Sequence, residues 1–177
     1  MINQGMKKLV CVLMIAVLGL SCHKQDSGQF ELEYIMDFEI EAGLNPLLTH
    51  YYTFNVNTNW NEFLNAHQLN EDQISKVLIK GISISPIFSG PISYSFIESA
   101  KLFIYLPNQS SFKLPIGEVF TEPNEKSRDL QFLPGFPDVH TYLKESVFIS
   151  ELRLNYRGIT STNSNHRMTV TFDVYIK

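Results

Sequence analysis

Phe30-Glu31-Leu32-Glu33-Tyr34-Ile35-Met36-Asp37-Phe38-Glu39-Ile40-Glu41 alternates apolar and polar side chains, with only Ile35 out of step. Successive side chains of an extended chain point to opposite faces, so a period of two makes a half-buried strand. One face meets a core and the other meets water. The C-terminal segment repeats the pattern, with Met168, Val170, Phe172, Val174 and Ile176 in one phase and Thr169, Thr171, Asp173 and Lys177 in the other.

Runs of the same kind lie between them, at 50–57, 76–85, 99–106, 112–121, 129–133 and 147–157. Within 76–85 the apolar phase switches from Val77 and Ile79 to Ile82 and Ile84 across Lys80-Gly81, which predicts a β-bulge at Gly81. Two short helices fit between the strands. Asn59 with Glu62 has capping-box spacing and places Trp60, Phe63, Leu64 and His67 on one face. Asp138, after Pro137, caps a turn whose inner side is Val139, Tyr142 and Leu143.

Glycine- and proline-bearing loops at 43–46, 85–86, 90–91, 123–125 and 134–137, and a polar loop at 160–165, separate the runs. The expectation is an all-β fold: a single antiparallel β-sandwich over residues 30–177, of about eight strands with two or three short helices. The order of elements is similar to the LEA-type sandwich of envelope and stress proteins. That resemblance is architectural and implies no site residue.

Ahead of the strands, Lys7 and Lys8 precede an apolar run from Leu9 to Leu20 and then the small Ser21. A spanning helix needs about 20 apolar residues, whereas an export signal needs roughly 7 to 15, so residues 1–21 read as a cleaved signal peptide. Leu18-Gly19-Leu20-Ser21-Cys22 resembles the lipobox of bacterial lipoproteins, in the looser form of Bacteroidetes-type bacteria. The family's leucine stands three residues before the cysteine; here Gly19 holds that place and Leu18 lies one further back. The resemblance implies a lipid on Cys22, with an incidental cysteine in an ordinary signal peptide as the competing reading. Residues 22–29 are small, polar and unpatterned, as a flexible tether is. Their single acidic residue, Asp26, favours the periplasmic side of the outer membrane over the cell surface, where the family's acidic run would direct it.

Cys11 lies inside the signal core, so the mature chain has no internal disulfide and depends on its apolar core. Beyond residue 21 there are 12 basic against 18 acidic side chains, a net charge of −6. No basic cluster exists to hold phosphates, which argues against nucleic acid as a partner.

Catalytic signatures are sparse. None of the five histidines, at 23, 50, 67, 140 and 166, is paired with another His or Cys at metal-ligand spacing. Asp138 beside His140 has a structural task as a cap, and no Gly-x-Ser-x-Gly elbow occurs. The glutamates of 31–41 alternate outward as a solvated face does, and the asparagines of 55–61 lack the glycine and glutamate of a calcium loop. No cofactor, no metal and no enzymatic role are expected.

Recognition is the remaining hint, because 12% of residues are aromatic. Tyr51, Phe103 and Tyr105 fall opposite the apolar phase of their strands, as do Ile35 and Ile149. Either these side chains form a surface patch for a partner or ligand, or a second layer covers them. The sequence therefore points to a lipid-anchored envelope protein acting as an accessory or interaction module beside other envelope proteins. A lipoprotein that binds a glycan or an apolar ligand is the alternative.

Overall fold

The computed structural model describes residues 29–88, 93–124 and 126–177. The expected signal peptide, Cys22 and the tether up to residue 28 lie outside the described residues. Two antiparallel sheets pack face to face. One has the order β1-β9-β3-β6 and the other β2-β8-β4-β5-β7. Their strands are β1 (Phe30–Ile40), β2 (His50–Asn57), β3 (Ile74–Pro86), β4 (Ile97–Tyr105), β5 (Leu114–Phe120), β6 (Leu130–Gln131), β7 (Leu133–Pro134), β8 (Val147–Tyr156) and β9 (Ser164–Ile176). The fold is an all-β antiparallel sandwich.

The alternation of β1 does what its period requires. Tyr34, Met36, Phe38 and Ile40 are buried while Glu31, Glu33, Asp37 and Glu39 face outward. β9 pairs with β1 from Phe30 opposite Val174 to Ile40 opposite Ser164 and adds Met168, Val170, Phe172 and Val174 to the same core. From the second sheet come Leu102, Ile104, Ile116, Phe148, Leu152 and Leu154. Each such side chain contributes roughly 1.5–3 kcal/mol by leaving water, and this burial takes the place of disulfides. The bulge is present where β3 slips against β9 between Ile79 and Gly81, with Lys80 as the extra residue.

The run expected as one strand at 129–133 is two short ones, because the chain there crosses between sheets. Leu130 and Gln131 pair with β3, whereas Leu133 and Pro134 pair with β5. Helix α1 (Trp60–Ala66) buries Trp60, Phe63 and Leu64 as its spacing predicts. Its cap differs: Asn59 sits in the left-handed region at φ 48° and makes no side-chain cap bond, and a capping box forms instead between Asn70 and Gln73. Asp138 Oδ1 accepts from the backbone N–H groups of His140 and Val77, at 3.0 Å each, and ties this turn to β3; the N-cap of the short helix α2 (His140–Leu143) is nevertheless Val139, not the expected Asp138, and it makes no side-chain cap bond. No helix of the described residues is long and apolar enough to cross a membrane.

Strand directions give the sandwich two distinct ends. Phe30, Asn57, Ile74, Tyr105, Val147 and Ile176 share the end at which the N-terminal segment joins, close to α1 and α2. Ile40, His50, Pro86, Tyr156 and Ser164 lie at the far end.

Candidate binding face on the five-stranded sheet

Register turns the outward positions of the second sheet into cross-strand rows. One row runs from Tyr51 on β2 through Arg153 on β8, Lys101 on β4 and Glu118 on β5 to Leu133 on β7. The next row toward the N-terminal end contains Thr53, Glu151, Phe103 and Pro115, and the one after it Asn55, Ile149 and Tyr105. On the far side of the first row, Thr49, Asn155 and Ser99 are joined by side-chain hydrogen bonds of 2.8 and 2.9 Å.

Glu151 organises the centre of this face. It is only 4% exposed although it points away from the core, because Arg153 and Lys113 close over it. Arg153 donates through Nε at 2.9 Å and Nη2 at 2.8 Å, and Lys113 Nζ donates to the other carboxylate oxygen. Burial works against the charge of Glu151, but those two cations outweigh it and hold its pKa below the usual carboxylate range. The guanidinium of Arg153 is held between two rings, 4.1 Å from the centroid of Phe103 and 5.5 Å from that of Tyr51. Lys113 lies 4.8 Å from the Tyr105 ring centre, and Lys101 lies 5.9 Å from that of Phe120 while pairing with Glu118 at 3.2 Å.

Beside this charged row is a groove of about 570 Å³, lined by Phe103, Pro115 and Gly117 on the sheet and by Leu133 and Phe136 along its wall. Leu133 is 72% and Phe136 86% exposed, so the wall presents apolar side chains to solvent. The face thus combines a fixed cation pair with an apolar trough, which suits recognition by charge and contact.

The residues expected to form a patch divide. Tyr51 is 60% exposed, Phe103 and Ile149 are half-buried, and all three belong to this face. Tyr105 shares the face but is only 7% exposed, with Lys113 across its ring, so of the two alternatives it takes the covered one. Ile35 is exposed and does not join the others, because β1 belongs to the opposite sheet. Sequence reasoning missed Lys101, Arg153, Leu133 and Phe136. The signal for the last two was on the chain, since Leu133-Pro-Gly-Phe136 puts two large apolar side chains on a turn.

A second place at the far end has the outline of a nucleophile site. Ser164, on the wall of a cleft of about 280 Å³, has Oγ 2.7 Å from His166 Nε2, while Tyr94 Oη lies 2.9 Å from His166 Nδ1. Burial pushes the His166 pKa down to about 4, so the imidazole is neutral and carries one proton. The buried hydroxyl hydrogen of Tyr94 has no other acceptor among the described residues, so it goes to Nδ1 and the ring proton sits on Nε2. The opposite tautomer would leave the phenol proton unpaired in the core at a cost of about 1–3 kcal/mol. Ser164 is therefore a hydrogen-bond acceptor from His166, the reverse of what activation requires. The network locks β9 to the Tyr94 turn.

His140 is likewise absorbed into structure. Its Nε2 lies 2.7 Å from Glu71, which also receives Trp60 Nε1–H at 2.6 Å and Lys144 at 2.9 Å. Among the described residues no group of three His, Cys, Asp or Glu side chains is placed to hold a metal.

No known protein family matches this chain, and no curated protein does. Among solved structures, it is similar to the decameric BFDV capsid protein, at 12% identity and a TM-score of 0.42 over 84% of this chain and 98% of that one. It is also similar to a structure of Desmodium yellow mottle tymovirus, at 11% identity and a TM-score of 0.27, covering 85% of this chain and 91% of that one.

Proposed function

We propose that this chain is a lipid-anchored, non-enzymatic envelope protein that serves as an accessory or interaction module, meeting its partner across the outer face of the five-stranded sheet. The observation that carries this reading is the juxtaposition of the Lys101–Arg153 cation pair with the apolar groove of Phe103, Leu133 and Phe136. A sheet needing only solubility gains nothing from apolar side chains standing in water beside cations, and Leu133 and Phe136 stand so beside the ion-paired Lys101 and Arg153. Non-enzymatic action agrees with a Ser164 hydroxyl that accepts a hydrogen bond from His166 and with a His140 whose Nε2 faces Glu71 at 2.7 Å.

The anchor is Cys22, with the domain on the periplasmic side of the outer membrane. The stretch from Cys22 to Phe30 reaches at most roughly 28 Å, at about 3.3–3.6 Å per residue, so the sandwich stays close to the bilayer. Its N-terminal end faces the lipid and the binding face stands to the side. In a detergent phase-partition assay the acylated wild type enters the detergent phase, and Cys22→Ser moves to the aqueous phase with its unfolding transition unchanged. A Cys22→Ser protein that stayed in the detergent phase would remove the anchor from this account.

The groove also favours a second reading, a small apolar ligand held between Phe103 and Phe136. Native mass spectrometry of protein purified from its own membranes would then show a constant added mass, lost on Phe136→Ser.

A further inference from the structure

We infer that the partner of the outer face is an acidic polypeptide segment with interspersed apolar side chains, lying across β8, β4 and β5 so that its carboxylates meet Arg153 and Lys101. This inference rests on the reading of that face as the partner-binding surface.

Charge balance is the first argument. Three cations, Lys101, Lys113 and Arg153, stand among two carboxylates, Glu118 and Glu151, on this face. The chain beyond residue 21 carries 12 basic against 18 acidic side chains, so a positive face is set in a negative protein. An acidic partner is steered to it, and the acidic β1 face of a second copy is a competing candidate. That face is already partly neutralised by Lys80 on Glu31 and Arg167 on Asp37.

Placement is the second. Lys101 and Arg153 are directly opposite on neighbouring strands, and their charges are met only from the flanks, by Glu118 beside Lys101 and Glu151 beside Arg153. Arg153 gives Nε and Nη2 to Glu151, and its Nη1 donors have no acceptor among the described residues. The flanking rings of Phe103 and Tyr51 hold the guanidinium in place, so little side-chain entropy is lost when an anion binds.

The groove sets the rest of the partner's chemistry. Leu133 and Phe136 stand next to Glu118 and Lys101, so a side chain one or two positions from the bound carboxylate falls against apolar surface. A saccharide fits less well. Sugars stack on the flat faces of rings, and Tyr51, Phe103, Tyr105 and Phe120 each have a cation over the ring.

The test uses the full acylated chain in detergent and two fluorescent peptides of equal length and identical Leu/Phe pattern, one with glutamates at the intervening positions and one with lysines. Unlabelled oligogalacturonate serves as an acidic saccharide competitor. The glutamate peptide is expected to bind about tenfold more tightly than the lysine peptide and to weaken with added salt. Lys101→Gln and Phe136→Ser, both at exposed positions, are each expected to weaken it by roughly five- to tenfold, while Glu33→Gln on the opposite sheet leaves it unchanged. Equal binding of the two peptides, binding of neither, or indifference to Lys101→Gln overturns the inference. So does oligogalacturonate displacing the peptide at a lower concentration than the unlabelled peptide does, which would make the occupant a saccharide. The two readings fail separately. If a native partner crosslinks at Leu133 yet ignores Lys101→Gln, only the acidic class falls; if the partner attaches elsewhere, the binding face itself falls.

Discussion

Phe172→Ala lowers the unfolding free energy by about 3–5 kcal/mol, the range for removing a fully enclosed phenylalanine. Phe172 has no exposed surface, lies between Leu32 and Ile79 in the register of β1, β9 and β3, and meets the Tyr34 ring at 5.8 Å between centroids. Its neighbours belong to both strands that flank β9, so neither can close the cavity without leaving its ladder. A domain of this size has roughly 5–15 kcal/mol in all, and residues 30–177 contain no cysteine, so no disulfide holds them if the cavity opens. Urea unfolding of the two proteins measures the difference. A loss below about 1 kcal/mol would mean that the sheets are not packed as described.

Acidification acts through His166. The folded pKa, near 4, lies below the ordinary 6.5 because burial among Tyr94, Phe38 and Ser164 disfavours the charged ring. From pH 6.5 down to about 4 the unfolded chain takes up a proton that the folded chain excludes. Stability therefore falls as the pH falls through that window, by about 3 kcal/mol, at ~1.4 kcal/mol for each unit of pKa difference. Against the desolvation of burial, the Trp60 N–H and then Lys144 hold the folded pKa of Glu71 down, and Lys113 and Arg153 do so for Glu151, so their own contribution is lost at lower pH, below the unfolded carboxylate value. The window above it belongs to the histidine. Unfolding measured at pH 7 and 5 in wild type and His166→Gln separates them: the wild type loses stability between the two and the variant loses much less. Parallel losses in both proteins would contradict the assignment.

Much of the architecture was legible because period-two alternation survives wherever one side of a strand is dry. Residues 30–41 and 168–177 declared their inner faces in this way, the limits of β2 at His50 and Asn57 coincide with the run read from sequence, and the phase switch at Lys80 marked the bulge. Partner choice was not legible. Ile35 and Ile149 break phase in the same manner, and only strand pairing reveals that they lie on opposite sheets. Tyr105 is in the outward phase and still buried, because its cover comes from Lys113 in the following loop. Glu151 is a charged residue in a charged phase, and nothing in its neighbourhood along the chain signals that Lys113, 38 residues away, closes over it. Asn59 failed as a side-chain cap because the chain reaches α1 through the left-handed region. That choice is made by the approach from β2 and not by the residues of the helix.

The central claim is that one face of the sandwich, and not its surface in general, meets the partner. It is tested most directly by placing a photo-crosslinking residue at position 133 on the five-stranded sheet and, separately, at position 35 on the four-stranded sheet, and irradiating the full-length protein in the cells that make it. The account predicts one major adduct from position 133, none from position 35, and loss of the adduct when Lys101→Glu is added. Adducts of equal yield from both positions, or an adduct at 133 that survives Lys101→Glu unchanged, would contradict it.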